Sequence, residues 1–82
     1  MSAKEKRYMG KIADLNCVAC GAFGVHVHHI RTERIKNNYL TIPLCPSCHV
    51  GDFSIHKSKR QFENVYGCEL ILLAKTIEKL NG

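Results

Sequence analysis

Two C-x-x-C knuckles, Cys17-Val-Ala-Cys20 and Cys45-Pro-Ser-Cys48, fall within a chain of 82 residues, and no other feature constrains the fold as strongly. A chain this short buries too little apolar area to offset its conformational entropy with a wide margin, so it needs a staple. Tetrahedral zinc takes four thiolates delivered in pairs by tight turns, and Gly21 and Pro46 are residue types that shape such turns. Structural zinc contributes about 10–16 kcal/mol of apparent binding free energy, more than so small a core supplies. A structural Zn²⁺ on Cys17, Cys20, Cys45 and Cys48 is therefore expected to decide whether the chain folds.

The competing cysteine chemistries fit less well. A disulfide framework leaves one of five cysteines over, and Met1-Ser-Ala-Lys-Glu-Lys-Arg7 lacks the apolar core of a secretory signal. A redox C-x-x-C leaves the second pair unexplained. The expectation is a reduced, cytoplasmic protein in which Cys68 is a buried thiol on the last helix. The longest apolar run, Leu70-Ile-Leu-Leu-Ala74, falls far short of the roughly 20 residues that span a bilayer, and no membrane is expected. Twelve Lys and Arg against seven Asp and Glu give a net charge of +5. That balance suits a polyanionic partner, or serves solubility alone.

Hydrophobic spacing predicts a small α+β arrangement. Tyr8, Met9, Ile12 and Leu15 mark the apolar side of a helix over residues 3–15, with Lys4, Lys6, Arg7 and Lys11 on the other. Val25–His28 and Tyr39–Ile42 read as strands of a hairpin joined through the polar Arg31–Asn38, the second stopped by Pro43 and Pro46. Two helices follow, Ser54–Tyr66 and Cys68–Leu80, broken at Gly67. Leu70, Leu73, Ala74, Ile77 and Leu80 form the expected buried stripe of the last, with Phe62, Tyr66 and Tyr39 in the core.

Four thiolates saturate zinc, so His28, His29, His49 and His56 need a separate explanation. Neighbours on a strand point to opposite sides, which lets one of the His28-His29 pair hold a metal while the other faces water or substrate. Imidazoles holding a metal with open positions are the mark of a catalytic site. The plainer alternative is ordinary surface or core histidines, and that reading is given to His26, which has no evident partner.

Cys17-x-x-Cys20, His28-His29-Ile30, Asn38, Ile42-Pro-Leu-Cys45-x-x-Cys48-His49, His56, Phe62 and Tyr66-Gly67, in that order, resemble the HNH (ββα-metal) endonuclease superfamily. Within it they are most similar to the short phage and bacterial recombination-enhancement (Ref-like) branch. The resemblance implies a zinc-bound ββα-metal core with an N-terminal helix and C-terminal helices. It implies one HNH nuclease domain over residues 1–82: helix 1–16, zinc-stapled core 17–66 and helix 67–82. His29 is then the general base for DNA phosphodiester hydrolysis, Asn38 braces the loop that carries it, and His28, His49 and His56 hold a catalytic divalent metal: Mg²⁺, Mn²⁺, Ni²⁺ or Zn²⁺. The products implied are 5′-phosphate and 3′-hydroxyl ends.

The chain departs from the common pattern twice. Many members carry the asparagine where this chain has Leu40, whereas Asn38 matches the Ref-like spacing, with Asn37 as a substitute. The gap from His49 to His56 is longer than usual, and Asp52 competes with His56 as third ligand. Arg31 and Arg34, flanking the base, and Lys57, Lys59 and Arg60, after His56, are candidate DNA-phosphate contacts or plain solvated charges. Two other readings stay open. One is a non-catalytic zinc module that binds nucleic acid or a partner protein on an HNH scaffold. The other is an accessory of a phage packaging, recombination or defence-related complex, acting with a recombination or packaging protein in a bacterial host cell.

Overall fold

The chain's first helix begins with a reciprocal cap. The Ser2 hydroxyl accepts from the Glu5 N–H at 3.1 Å, and the Glu5 carboxylate accepts from the Ser2 N–H at 3.1 Å. Each group satisfies a donor that a helix start otherwise leaves without a partner. In the computed structural model, which describes residues 2–31 and 37–82, this helix, α1, spans Ala3–Ala13. It buries Ile12 fully and half-buries Tyr8 and Met9, as the spacing predicts.

Strand β1 (His26–His29) pairs antiparallel with β2 (Thr41–Leu44), in the register His26↔Leu44, Val27↔Pro43, His28↔Ile42 and His29↔Thr41. Both strands start later than the sequence predicts. Asn37 explains the larger shift: its carbonyl accepts from the Leu40 N–H at 3.0 Å and its side-chain oxygen from the Tyr39 N–H at 2.8 Å. Tyr39 and Leu40 are thereby held in a turn, as asparagine's self-capping favours. Tyr39 is correspondingly no core residue; it is exposed and stacks on Tyr8 with ring centroids 5.1 Å apart. Nor does Pro43 stop the strand. Its carbonyl faces outward to accept from the Val18 N–H at 3.0 Å, and the N–H that proline lacks belongs on that same outer side, where the pairing with β1 does not need it.

Helix α2 (Pro46–Val50) opens from the second knuckle, with Pro46 in its first turn, where a missing N–H costs nothing. The expected helix from Ser54 is shorter at its start, because the Ser54 carbonyl and hydroxyl accept from Ser58 and Lys57 N–H at 2.8 and 3.2 Å and wind residues 54–57 into turns. Helix α3 then spans Lys59–Tyr66, and α4 spans Glu69–Asn81. Phe62 is buried and Tyr66 packs against the same core of Ile30, Ile42, Leu44, Ile55 and Leu72.

The buried side of α4 matches the predicted stripe only in part: Leu73 packs half-buried against the core and Leu80 is half-buried. Leu72 and Thr76 are fully buried, whereas Leu70 and Ile77 are 69% and 45% exposed and Ala74 is exposed. Residues 72 and 76 lie one above the other, and α4 packs that line against β2. Thr76 is buried without penalty because its hydroxyl donates to the Leu72 carbonyl at 2.8 Å. Cys68, expected to be buried on the helix, is half-buried at its N-cap. Among the described residues no helix is long and apolar enough to cross a membrane.

Gly67 breaks α3 from α4 with φ +99° and ψ 168°, and a Cβ there would lie 3.3 Å from Ile71 Cγ2. That conformation is essentially restricted to glycine. Gly67→Ala is expected to cost about 1–3 kcal/mol of stability, read as a lowered urea midpoint with an unchanged slope.

Candidate metal centre

The two knuckles converge. Cys17, Cys20, Cys45 and Cys48 each offer a sulfur, all within 4.8 Å of one another. The first turn is closed by the Gly21 N–H on the Cys17 carbonyl at 2.8 Å and the Cys17 N–H on the Ala22 carbonyl at 2.9 Å, with Gly21 at φ +82°. Cys20 and Cys45 Sγ are 3.5 Å apart, close to the edge of about 3.8 Å that four sulfurs make around zinc at about 2.3 Å. All are free thiols. Burial resists ionisation of Cys17, yet the N–H groups of Cys20, Cys45 and Ala19 outweigh it and bring the thiol down to about 7. Burial pushes Cys20 and Cys48 up, and neighbouring thiols add to the effect. Four sulfurs packed this closely repel as thiolates, and a divalent ion is the group that relieves it, so the donor set fits zinc.

A second cluster draws on β1, α2 and the turn after α2. His28, His49 and His56 present one ring nitrogen each within 4.8 Å of the others. β1 supplies His28, buried; α2 supplies His49, half-buried directly after the Cys48 knuckle; the turn that follows supplies the exposed His56. That turn is set by the Ile55 N–H on the Cys48 carbonyl at 2.9 Å. His49 and His56 Nε2 stand 3.1 Å apart, near the edge of about 3.3 Å expected for nitrogens on an ion at 2.0–2.1 Å. Asp52 is exposed, outside this group, with its carboxylate 4.0 Å from Lys57 Nζ. Three imidazoles suit a borderline transition-metal ion and leave positions for other ligands.

His29 lines the same open cleft as His28, His49 and His56, together with Arg31, Lys59 and Glu69. Its Nε2–H donates to the Asn38 side-chain oxygen at 2.9 Å, and the Asn38 amide donates in turn to Glu5 Oε2 at 2.7 Å. With Nε2 carrying the proton, the lone pair of His29 resides on Nδ1. Asn37 caps the turn instead and takes no part. Lys59 Nζ lies 3.3 Å from Glu69 Oε1, and Arg60 is exposed in the first turn of α3. Arg34 lies outside the described residues.

Three contributors escape a reading of the sequence. His26, taken as partnerless, has Nδ1 3.0 Å from His49 Nδ1; strand alternation, which puts residues 26 and 28 on one face, is the signal that points to it. Glu69 accepts from His28 Nε2–H at 2.9 Å. Glu5 holds Asn38 while capping α1. No local pattern announces the last two, since both contacts join distant segments.

Burial holds His28 below the ordinary imidazole range, against the pull of Glu69, and burial with the surrounding histidines holds His49 at about 4. Both rings are therefore neutral near pH 7, with lone pairs free for an ion. Unfolded His49 takes up a proton near 6.5, folded His49 only near 4. Its contribution to stability is full above the first value and is lost as pH falls through the second. With zinc on the cysteines and no ion on the histidines, urea midpoints should fall across that window, and His49→Asn should flatten the fall. Stripping zinc with a strong chelator at neutral pH is expected to abolish the cooperative thermal transition in circular dichroism, and Cys48→Ser to have the same effect without chelator.

No curated protein matches the chain. The family model described as "Protein of unknown function (DUF968)" matches residues 1–80, and the chain, with its four-cysteine and three-histidine clusters, belongs to that family.

Proposed function

We propose that the protein is a metal-dependent endonuclease of the HNH (ββα-metal) type that hydrolyses DNA phosphodiester bonds, with residues 1–82 acting as one domain. The observation that carries this reading is the His29–Asn38 hydrogen bond at 2.9 Å in the cleft of the three-histidine cluster. A nucleophilic water needs a base that is not itself a metal ligand, and His29 stands apart from the three clustered rings. Asn38 orients the ring, so Nδ1 takes the proton from the attacking water. Glu5 orients the Asn38 amide. When bound on His28, His49 and His56, a divalent ion supplies charge neutralisation for the pentacovalent phosphate and the leaving alkoxide. Zinc on the four cysteines serves the fold. Arg31, which lines the cleft, together with Lys57 and Arg60, which adjoin the lining residues His56 and Lys59 along the chain, engages phosphates flanking the cut and fixes position rather than sequence.

A second reading, a zinc module that binds nucleic acid or a recombination or packaging protein without cutting, is favoured by Glu69. Its carboxylate lines the cleft where a phosphate would rest and engages Lys59 at 3.3 Å. Nicking of supercoiled plasmid by the zinc-loaded protein, with Mg²⁺, Mn²⁺ or Ni²⁺ added, separates the two. His29→Ala is expected to lower the rate by about 10²–10⁴-fold with the circular dichroism spectrum and DNA affinity retained. Wild-type protein that binds DNA yet nicks with none of these ions establishes the second reading.

A further inference from the structure

Glu69 opens α4 and reaches back across the chain to β1. Its Oε2 accepts from His28 Nε2–H at 2.9 Å and its Oε1 lies 3.3 Å from Lys59 Nζ. The contact is sheltered, the two side chains being 6% and 18% exposed for His28 and Glu69. The Glu69 carboxylate is not part of the group whose ligand atoms all lie within 4.8 Å of one another.

We propose that Glu69 is a positioning residue for a transition-metal ion held by His28, His49 and His56. Its carboxylate fixes His28 as the Nε2–H tautomer and so presents Nδ1 as the ligating atom. The inference rests on the reading that these three histidines hold an ion, and adds which atom of His28 binds and what sets it. A neutral imidazole exchanges its proton between two nitrogens, and in half of its arrangements the wrong one carries the lone pair. An anionic acceptor on one nitrogen removes that ambiguity and makes the other a stronger donor, as carboxylates do behind histidine ligands. Lys59 holds the second oxygen and limits rotation of the carboxylate. The N-terminal turn of α4 favours a negative group at this position, so Glu69 is placed where its charge is sustained.

The test titrates Ni²⁺ calorimetrically into the full chain with zinc already on its cysteines, for wild type, His28→Ala and Glu69→Gln, with melting curves for each. Wild type is expected to take up one further equivalent, His28→Ala to lose it, and Glu69→Gln to bind about 10–100-fold more weakly while melting like wild type. Long-range ¹⁵N–¹H spectra of wild type with Zn²⁺ on the histidines should show His28 protonated on Nε2 and coordinating through Nδ1. This second measurement stands even where Glu69→Gln fails to fold. Undiminished Ni²⁺ affinity in Glu69→Gln, or an ion on His28 Nε2, overturns the proposal while the histidine site survives. Absence of any ion beyond the cysteine zinc in wild type overturns both.

Discussion

The hairpin and the histidine cluster are arranged around the convergence of two turns on four sulfurs. The knuckle at Cys17–Cys20 precedes β1 and the knuckle at Cys45–Cys48 follows β2, so bringing their sulfurs within 4.8 Å closes the hairpin at its open end. The Val18 N–H on the Pro43 carbonyl at 3.0 Å fastens the first knuckle directly to β2. A two-stranded ribbon alone is marginal in water, and its register is set by whatever pins it. Here the pin also places the histidines. His49 follows Cys48 directly, and the Cys48 carbonyl holds the turn that carries His56. An ion on the sulfurs would thus fix the geometry of the nitrogens without touching them.

The two clusters differ in the sign of what burial does. Burial raises Cys20 and Cys48 and so works against the thiolates that a metal needs, whereas it lowers His28 and His49 and so favours the neutral rings that a metal needs. The sulfur cluster depends on its ion to become a satisfied set of charges. His28 and His49 are neutral near pH 7 and would meet an ion without first losing a proton.

What could be read from the sequence is what local spacing encodes. Two C-x-x-C turns, a histidine pair at a strand end and a glycine between helices are each defined within a few residues, and each stands where the spacing puts it. Strand limits were less legible because Asn37 captures two N–H groups and delays β2, and because Pro43 is harmless on the side of the ribbon that needs no donor. The buried line of α4 eluded periodicity for a different reason. Its leucines and isoleucines surround the helix, so the pattern has no single face, and contact with β2 chose Leu72 with a threonine that satisfies its own hydroxyl. Glu69 behind His28 is a contact across 41 positions, which no window along the chain contains.

The N-terminal helix, anchored by Ile12 and by Tyr8 against Tyr39, also reaches toward the cleft through the Glu5 carboxylate. Glu5 uses Oε1 to cap its own helix and Oε2 to hold the Asn38 amide, whose oxygen accepts the hydrogen bond from His29 Nε2–H. Its ionised form is favoured first by Asn38 and then by Ser2, which holds its pKa below the usual carboxylate range. The support is therefore present above the ordinary carboxylate value and is lost as pH falls through the lowered one. A carboxylate has lone pairs enough for both tasks, whereas an alanine at this position would release the cap and the amide together. Rotation of the freed amide would offer His29 a donor where it now meets an acceptor, and the ring would lose the contact that keeps its proton on Nε2. The start of α1 is thereby linked through Asn38 to the Nε2–H of His29, although the two residues do not touch.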